Sequence, residues 1–213
     1  MESVTESAAR GVWFSDGRWD REVFVDRRTE PLFGLVELMD NNPLVCADTM
    51  SVPSASGTLA LIALGPLGTA GLLQEEPTFI SNCPVDEEDI GECLATTGWS
   101  GGCLVRFEPH PLEGVLVASA SAVVTNIGFE EMAELYEERF GHSFFVRSVD
   151  GVNWEPSLVR GRPEAHYRLS ISEDTDLSLA TIRVLADAEG KCGAAQVVHA
   201  MNVMCGFEEG LSL

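Results

Sequence analysis

The stretch Ser51–Leu67, SVPSASGTLALIALGPL, constrains the fold more than any other part of the chain. A loop of proline, serine and alanine feeds a run of residues so apolar that the helix they form has to be buried. Ser56 or Thr58 is expected to cap that helix. It should run to about Leu73, with Gly65-Pro66 as a kink or break. The first N–H groups of a helix have no partner within it and point at the loop before it, which makes such a junction a seat for catalytic groups. The loop therefore reads as a nucleophile loop without a nucleophile of the usual kind.

A chain of 213 residues suits one large domain, or one domain with an appendage. The formal charge of −21 repels the phosphates of nucleic acid and of anionic membranes, so neither is an expected partner. One lysine, Lys191, stands against twelve arginines. A carboxylate-rich, lysine-poor surface suits a high-salt cytoplasm, where screening softens self-repulsion; arginine bias in a GC-rich genome with an acidic surface gives the same composition. Met1–Arg10 is polar, unlike a secretory signal, and the apolar run Leu59–Leu67 is too short to span a bilayer. A cytoplasmic protein is expected. Six cysteines (Cys46, Cys83, Cys93, Cys103, Cys192, Cys205) form no CxxC and no zinc-type spacing, so no metal site is expected and free, packed thiols are.

Along the chain, Ser3–Arg10 predicts a short helix, and Gly11–Arg28 a loop-rich segment holding Trp13, Trp19 and a strand near Glu22–Val25. Leu32, Leu35, Val36 and Met39 have helical spacing, with Asn41-Asn42-Pro43 as the stop. Leu44–Ala47 reads as a strand entering the Ser51 loop. Thr78–Asn82 predicts a strand. A helix beginning at Pro84 carries Asp86–Asp89 in its first turn, where carboxylates suit the helix dipole better than they suit a metal. Gly102–Phe107 and Gly114–Val124 read as strands joined by the turn Pro109-His110-Pro111. Phe129–Phe140 predicts an amphipathic helix ending at Gly141. Ser143–Arg147, His166–Ser172 and Leu177–Ala186 predict strands, the last two by strict alternation, and Val152–Pro163 is irregular. Cys192–Cys205 closes the chain as a helix capped by Gly206. The expected fold is α+β: a mixed, largely antiparallel sheet with helices on one face, its other face covered by a second sheet in a dimer.

The last helix carries the most information. Lys191–Met204 reads KCGAAQVVHAMNVM, with small residues at Gly193, Ala194 and Ala195 and polar ones at Gln196, His199 and Asn202. This resembles the closing helix K-G-A-A-G-Q-A-V-Q-N-M-N-L-M of the N-acetyl-γ-glutamyl-phosphate reductases. Phe107-Glu108-Pro109-His110 resembles their F-x-P-H, Phe145-Val146-Arg147 their F-V-R, and Phe33–Leu38 their Y-G-L-P-E-L. The Ser51 stretch is similar to their N-P-G-C-Y-P-T-A-A-L-L-A-L-A-P-L through Pro53, Thr58, Ala60, Leu61, Ala63, Leu64, Pro66 and Leu67. The likeness runs from about Leu32 to the end, in order. It implies the C-terminal domain of a glyceraldehyde-3-phosphate or semialdehyde dehydrogenase. On this reading residues 46–213 are the dimerisation domain, and residues 1–45 a remnant leading in from a cofactor half. Such enzymes reduce an acyl phosphate with NADPH, in arginine or lysine biosynthesis, through a cysteine thioester and an acid/base histidine.

The departures fall on the chemistry. The family cysteine aligns with Ala55, whose methyl group forms no thioester. No G-x-G-x-x-G occurs, and the span before Leu32 is too short for a nucleotide-binding half. The family's H-R-H segment has no counterpart, and no arginine follows His110. Remaining candidates for chemistry are Cys83, ahead of a helix N-terminus but beside Asp86–Asp89, then Ser56 with its neighbour Ser54, and His110 in its tight turn. Gln196, His199 and Asn202 would meet a nicotinamide if a partner supplied the cofactor domain; alone, this chain is expected to bind no cofactor. The expected role is a non-catalytic dimerisation or partner module, paired with itself or with a full-length relative. The alternative is one subunit of a split NADP-dependent reductase, with a small-molecule sensor behind both.

Overall fold

Alternating burial accounts for most of the larger of two sheets. The computed structural model describes residues 11–213 apart from 16, 18–19, 126, 150, 152 and 174–176. The helix expected at Ser3–Arg10 and the position of Trp19 lie outside the described residues. Strands β1 (Gly11–Ser15), β2 (Asp20–Val25) and β3 (Thr49–Val52) form a small sheet in that order, β1 antiparallel and β3 parallel to β2. Strands β4 (Thr78–Ser81), β5 (Leu104–Phe107), β6 (Val115–Thr125), β7 (Val146–Ser148), β8 (Ala165–Glu173) and β9 (Leu177–Asp187) form a sheet ordered β5-β4-β6-β9-β8-β7. Its central pairings are antiparallel and its two edge pairings parallel, as expected of a mixed, largely antiparallel α+β sheet. The strands β5 and β6, joined through Pro109-His110-Pro111, are separated in the sheet by β4.

On β6 and β9, Ala118, Ala120, Ala122, Val124, Ala180, Ile182 and Val184 are buried on one face. Against this face pack helices α2 (Ala55–Thr69), α3 (Glu87–Ala95) and α4 (Phe129–Phe140). Alanines on the sheet let α2 sit close, and Leu59 through Leu64 of α2 are fully buried. Tyr136 of α4 sits in the same core, with its hydroxyl donating to the carbonyl of Ala63.

Several helix boundaries differ from the sequence reading; α2 ends at Thr69 and not near Leu73, and α3 starts at Glu87 and not at Pro84. The segment Pro31–Asp40 is not a helix: only Val36–Leu38 makes a 3-10 turn, and Gly34 has a φ of 155°, far outside helical geometry. Asn41-Asn42-Pro43 starts a helix rather than ending one, because proline is tolerated in a first turn, where its missing N–H has no partner to lose. That helix, α1 (Asn41–Cys46), replaces the strand expected at Leu44–Ala47 and buries Leu44. Helix α2 also passes through Gly65-Pro66 without ending. Leu38 lies so close that a Cβ on Gly65 would come within 2.4 Å of it, so glycine there lets the 3-10 turn pack on α2.

The closing helix, α5 (Ala194–Cys205), ends at Gly206 with a left-handed φ of 67°. It packs on the small sheet, not the large one. Val197, Ala200, Met201, Val203 and Met204 meet Val23, Met50, Val52 and Leu44 in a second core. A third cluster of Val115, Leu185 and Val159, with Trp154 and Leu158, covers one end of the large sheet's other face. Among the described residues the rest of that face is exposed or half-buried.

Candidate functional site at the head of α2 and the polar face of α5

Strand β3 delivers Pro53 and Ser54 to the start of α2, where Ser54, not Ser56 or Thr58, caps the helix by accepting from the Gly57 N–H at 3.1 Å. Ser56 is buried with its hydroxyl 3.1 Å from that of Ser54. Ala55 opens the first turn. At Gly57 a Cβ would lie 2.6 Å from the Cys93 sulfur, so α3 closes tightly on this turn.

Gln196 of α5 reaches the same place. Its Oε1 accepts from the Thr58 hydroxyl at 2.9 Å, and its Nε2 donates to the Pro53 carbonyl at 3.3 Å. Gly193 lets the chain turn tightly into α5: a Cβ there would lie 2.3 Å from the Ala188 carbonyl oxygen.

One turn further along α5 is a buried charge network. The ammonium of Lys191 is 2.6 Å from Glu37 Oε1, and their side chains are 1% and 4% exposed. Lys191 Nζ is also 3.4 Å from His199 Nδ1, and His199 Nε2 is 3.1 Å from Glu209 Oε2. The Phe145 ring packs on the imidazole with centroids 4.3 Å apart, and Lys191 lies 5.6 Å from the same ring centre. Ser143 donates to Glu37 Oε1 at 3.3 Å, while Glu37 Oε2 is buried with no partner among the described residues. Asn202 donates through Nδ2 to the carbonyls of Glu209 and Leu211, both at 2.9 Å.

The electrostatics follow from this geometry. Burial pushes the Glu37 carboxyl up, but Lys191, with His199 and the short hydrogen bond, outweighs it and holds the carboxyl below its ordinary value. Burial first, and the Lys191 charge second, push the His199 imidazole below its ordinary value, against the pull of Glu37 and Glu209. The ring is therefore neutral near pH 7. An ammonium has donors only, so Lys191 assigns Nδ1 as acceptor and leaves the ring proton on Nε2, facing Glu209.

The sequence candidates are scattered by comparison. Cys83 is buried after β4, and burial pushes its thiol up. Burial also raises Cys192, with Cys83 adding to the shift, and takes Cys93 to about 12. His110 is exposed and borders a cavity of about 260 Å³ with Ser81, Asn82, Glu108 and Ser119. Among the described residues no hydrogen bond links any two of Ser56, Cys83 and His110, and no group of His, Cys, Asp and Glu is placed to hold a metal. No helix among them is long and apolar enough to cross a membrane.

The face expected to meet a nicotinamide does not fit one as it stands. Gln196, His199 and Asn202 are 2%, 1% and 5% exposed, and their nitrogens are taken up by the chain's own groups. Sequence reasoning missed Glu37, Glu209 and the charge role of Lys191. A signal for two of them was present: a lone lysine beside Gly193-Ala194-Ala195, and a single carboxylate inside the apolar run Leu32–Met39.

The fold is that of the semialdehyde dehydrogenases. Aspartate semialdehyde dehydrogenase II from Vibrio cholerae superposes with a TM-score of 0.59 at 13% identity, over 83% of this chain and 69% of that one. In sequence the chain resembles N-acetyl-gamma-glutamyl-phosphate reductases: it is 24% identical to that of Bacillus cereus strain 03BB102 over 219 aligned positions, and 28% identical to that of Moorella thermoacetica over 113. The first alignment takes in 86% of this chain and 62% of the Bacillus protein, so the chain spans less than two thirds of that relative's length. No family model matches it.

Proposed function

We propose that this chain is a non-catalytic dimerisation or partner module built on the reductase fold, serving arginine or lysine biosynthesis through assembly and not through turnover. The observation that carries this reading is the methyl group of Ala55 at the head of α2, where the resemblance places the thiol. Three facts support it. Burial pushes up the thiols of Cys83, Cys93 and Cys192, which keeps them protonated near pH 7. The polar face of α5 is satisfied from within. The open face of the large sheet presents Leu104, Leu177 and Leu179, 41–52% exposed, beside half-buried Ile80 and Val123.

The charge of that open face favours a covering partner. By strand register it carries Arg106, Arg147, Arg168 and Arg183; its carboxylates are the buried Asp187 at one end and, just past β5, Glu108, which pairs with Arg106 at 3.0 Å. In a chain of net charge −21, a sheet face so poor in carboxylates suits contact with a second copy or a full-length relative better than contact with solvent.

Sedimentation of the purified chain at low and at molar salt tests assembly, and a semialdehyde oxidation assay with NADP and phosphate tests turnover. A dimer without turnover, disrupted by L179D, is the expected result. A monomer at both salt concentrations overturns the reading. Turnover appearing only when a second chain supplies a nucleotide-binding half replaces it with a split NADP-dependent reductase.

A further inference from the structure

On the face of the large sheet turned away from the helices, one arginine of a central strand has no counter-charge. By register Arg183 of β9 stands directly opposite Ser119 of β6 on one side and Arg168 of β8 on the other. Like charges directly opposite one another destabilise a sheet. The guanidinium of Arg168 is engaged elsewhere: it lies 5.1 Å from the centre of the Trp154 ring, and its Nε donates to the Val149 carbonyl at 3.1 Å. The guanidinium of Arg183 is exposed and makes no ion pair or hydrogen bond among the described residues. The side chains around it are short. Ser119, Ser121 and Thr181 are half-buried, and their hydroxyls likewise bond to nothing among the described residues. Ser119 also lines, with Ile80, the cavity of about 260 Å³ that His110 borders, so there is room for a ligand beside Arg183.

A second copy covering this face cannot supply the missing charge. In a two-fold dimer the covering surface is the same surface. Its carboxylates are already committed: Asp187 is buried and accepts from the backbone N–H groups of Gly161, Glu189 and Gly190, and Glu108 pairs with Arg106 at 3.0 Å. A guanidinium taken out of water without a counter-charge opposes assembly. We propose that the dimer formed through this face carries an inorganic tetrahedral oxyanion, such as phosphate or sulfate, at Arg183, held also by the hydroxyls of Ser119 and Thr181 and closed off by the second copy. A planar guanidinium donates two parallel hydrogen bonds to such an anion, and hydroxyls donate to its remaining oxygens. Leu177 and Leu179, exposed on the same face, supply the apolar contact that shuts out solvent. In the monomer the site is shallow and the chain's net charge of −21 repels anions, so binding and pairing occur together. The inference rests on the assembly reading and adds the component which that reading lacks.

Sedimentation equilibrium of the full chain tests the proposal, with millimolar sulfate added to a constant chloride background, too little for a general salting-out effect. An anion that binds the dimer and not the monomer tightens dimerisation, about tenfold once it reaches about ten times its own dissociation constant. R183M removes the charge and should dimerise in chloride alone as tightly as the parent does with sulfate, with no response to the anion. R147M, on the edge strand β7, should respond as the parent does. A parent dimer indifferent to sulfate, or an R183M dimer that responds as the parent does, overturns the proposal and leaves the assembly reading standing. Loss of the response in R147M as well would mean a diffuse field and not a site, and also overturns it. So does a parent monomeric with and without sulfate beside a dimeric R183M, which would reserve the arginine for a carboxylate of a different chain. No dimer from parent or variant in any salt overturns assembly itself. R183Q covers the case in which R183M does not fold; if neither folds by circular dichroism, Arg183 is scaffold and the proposal fails.

Discussion

The head of α2 and the polar face of α5 meet at the Thr58–Gln196 hydrogen bond, yet they are built on opposite principles. Around Ala55 the groups are small, neutral and capped, and close packing does the work. Around His199 a carboxylate, an ammonium and an imidazole are taken out of water together. A buried ion pair is an expensive way to hold two segments, because desolvation offsets much of the attraction. The two regions therefore hold adjoining segments by opposite means, one by close apolar packing and a helix cap, the other by charges buried together.

The largest expected effect separates the two regions directly. K191M strands Glu37 as an unpaired buried carboxylate and should cost about 3–5 kcal/mol in urea unfolding, whereas E37L/K191M should recover most of that loss. If the single and double variants are equally unstable, the pair is not the source of the cost. Truncating the packing on the other side comes next. L61A in the fully buried stretch of α2 is expected to cost about 2–5 kcal/mol, and toward the lower end if the alanine-lined sheet closes on the cavity. Removing the cap with S54A should cost about 1 kcal/mol, while S56A and A55C should be nearly neutral, since neither of those residues caps the helix. A stability loss in S56A as large as that in S54A would contradict the cap assignment.

The smallest effect is in the pH dependence. His199 in the fold has a pKa below its ordinary 6.5, so the unfolded chain binds the proton first on acidification. Its contribution to stability is present above pH 6.5 and is lost as pH falls through the folded value. Glu37, lowered from 4.5, acts in the same direction further down. Thermal midpoints measured from pH 7.5 to 5 should fall, and H199F should flatten the upper part of that slope.

Legibility in the sequence followed the range of the interactions. Helix α4 matches Phe129–Phe140 at both ends, because its apolar stripe and Gly141 are local signals. The alternations in β8 and β9 marked both segments as strands, since the pleat imposes a two-residue period wherever one face is covered. Pro31–Ala47 misled because its apolar residues serve a 3-10 turn against α2 and a short helix against α5, contacts that no local window contains. The order β5-β4-β6 is likewise a long-range outcome. At the site, the small residues before Gln196 and the absence of a thiol at Ala55 were readable. The Glu37–Lys191–His199–Glu209 chain was not, because it joins an early turn, the lead-in to α5, α5 itself and the segment beyond it.

The placement of α5 has a consequence for how the chain matures on the ribosome. The large sheet and its helices draw on residues 55–187 and can close as soon as those emerge. The small sheet has no cover until residues 194–205 arrive to supply Val197, Met201 and Met204. Val23, Met50 and Val52 therefore keep their apolar faces unsheltered while residues 53–193, between Val52 and α5, are made. Contacts between such distant stretches of chain form slowly and leave sticky surface exposed in the interval. It is α5, and not the strands' own neighbours in sequence, that brings the small sheet to rest.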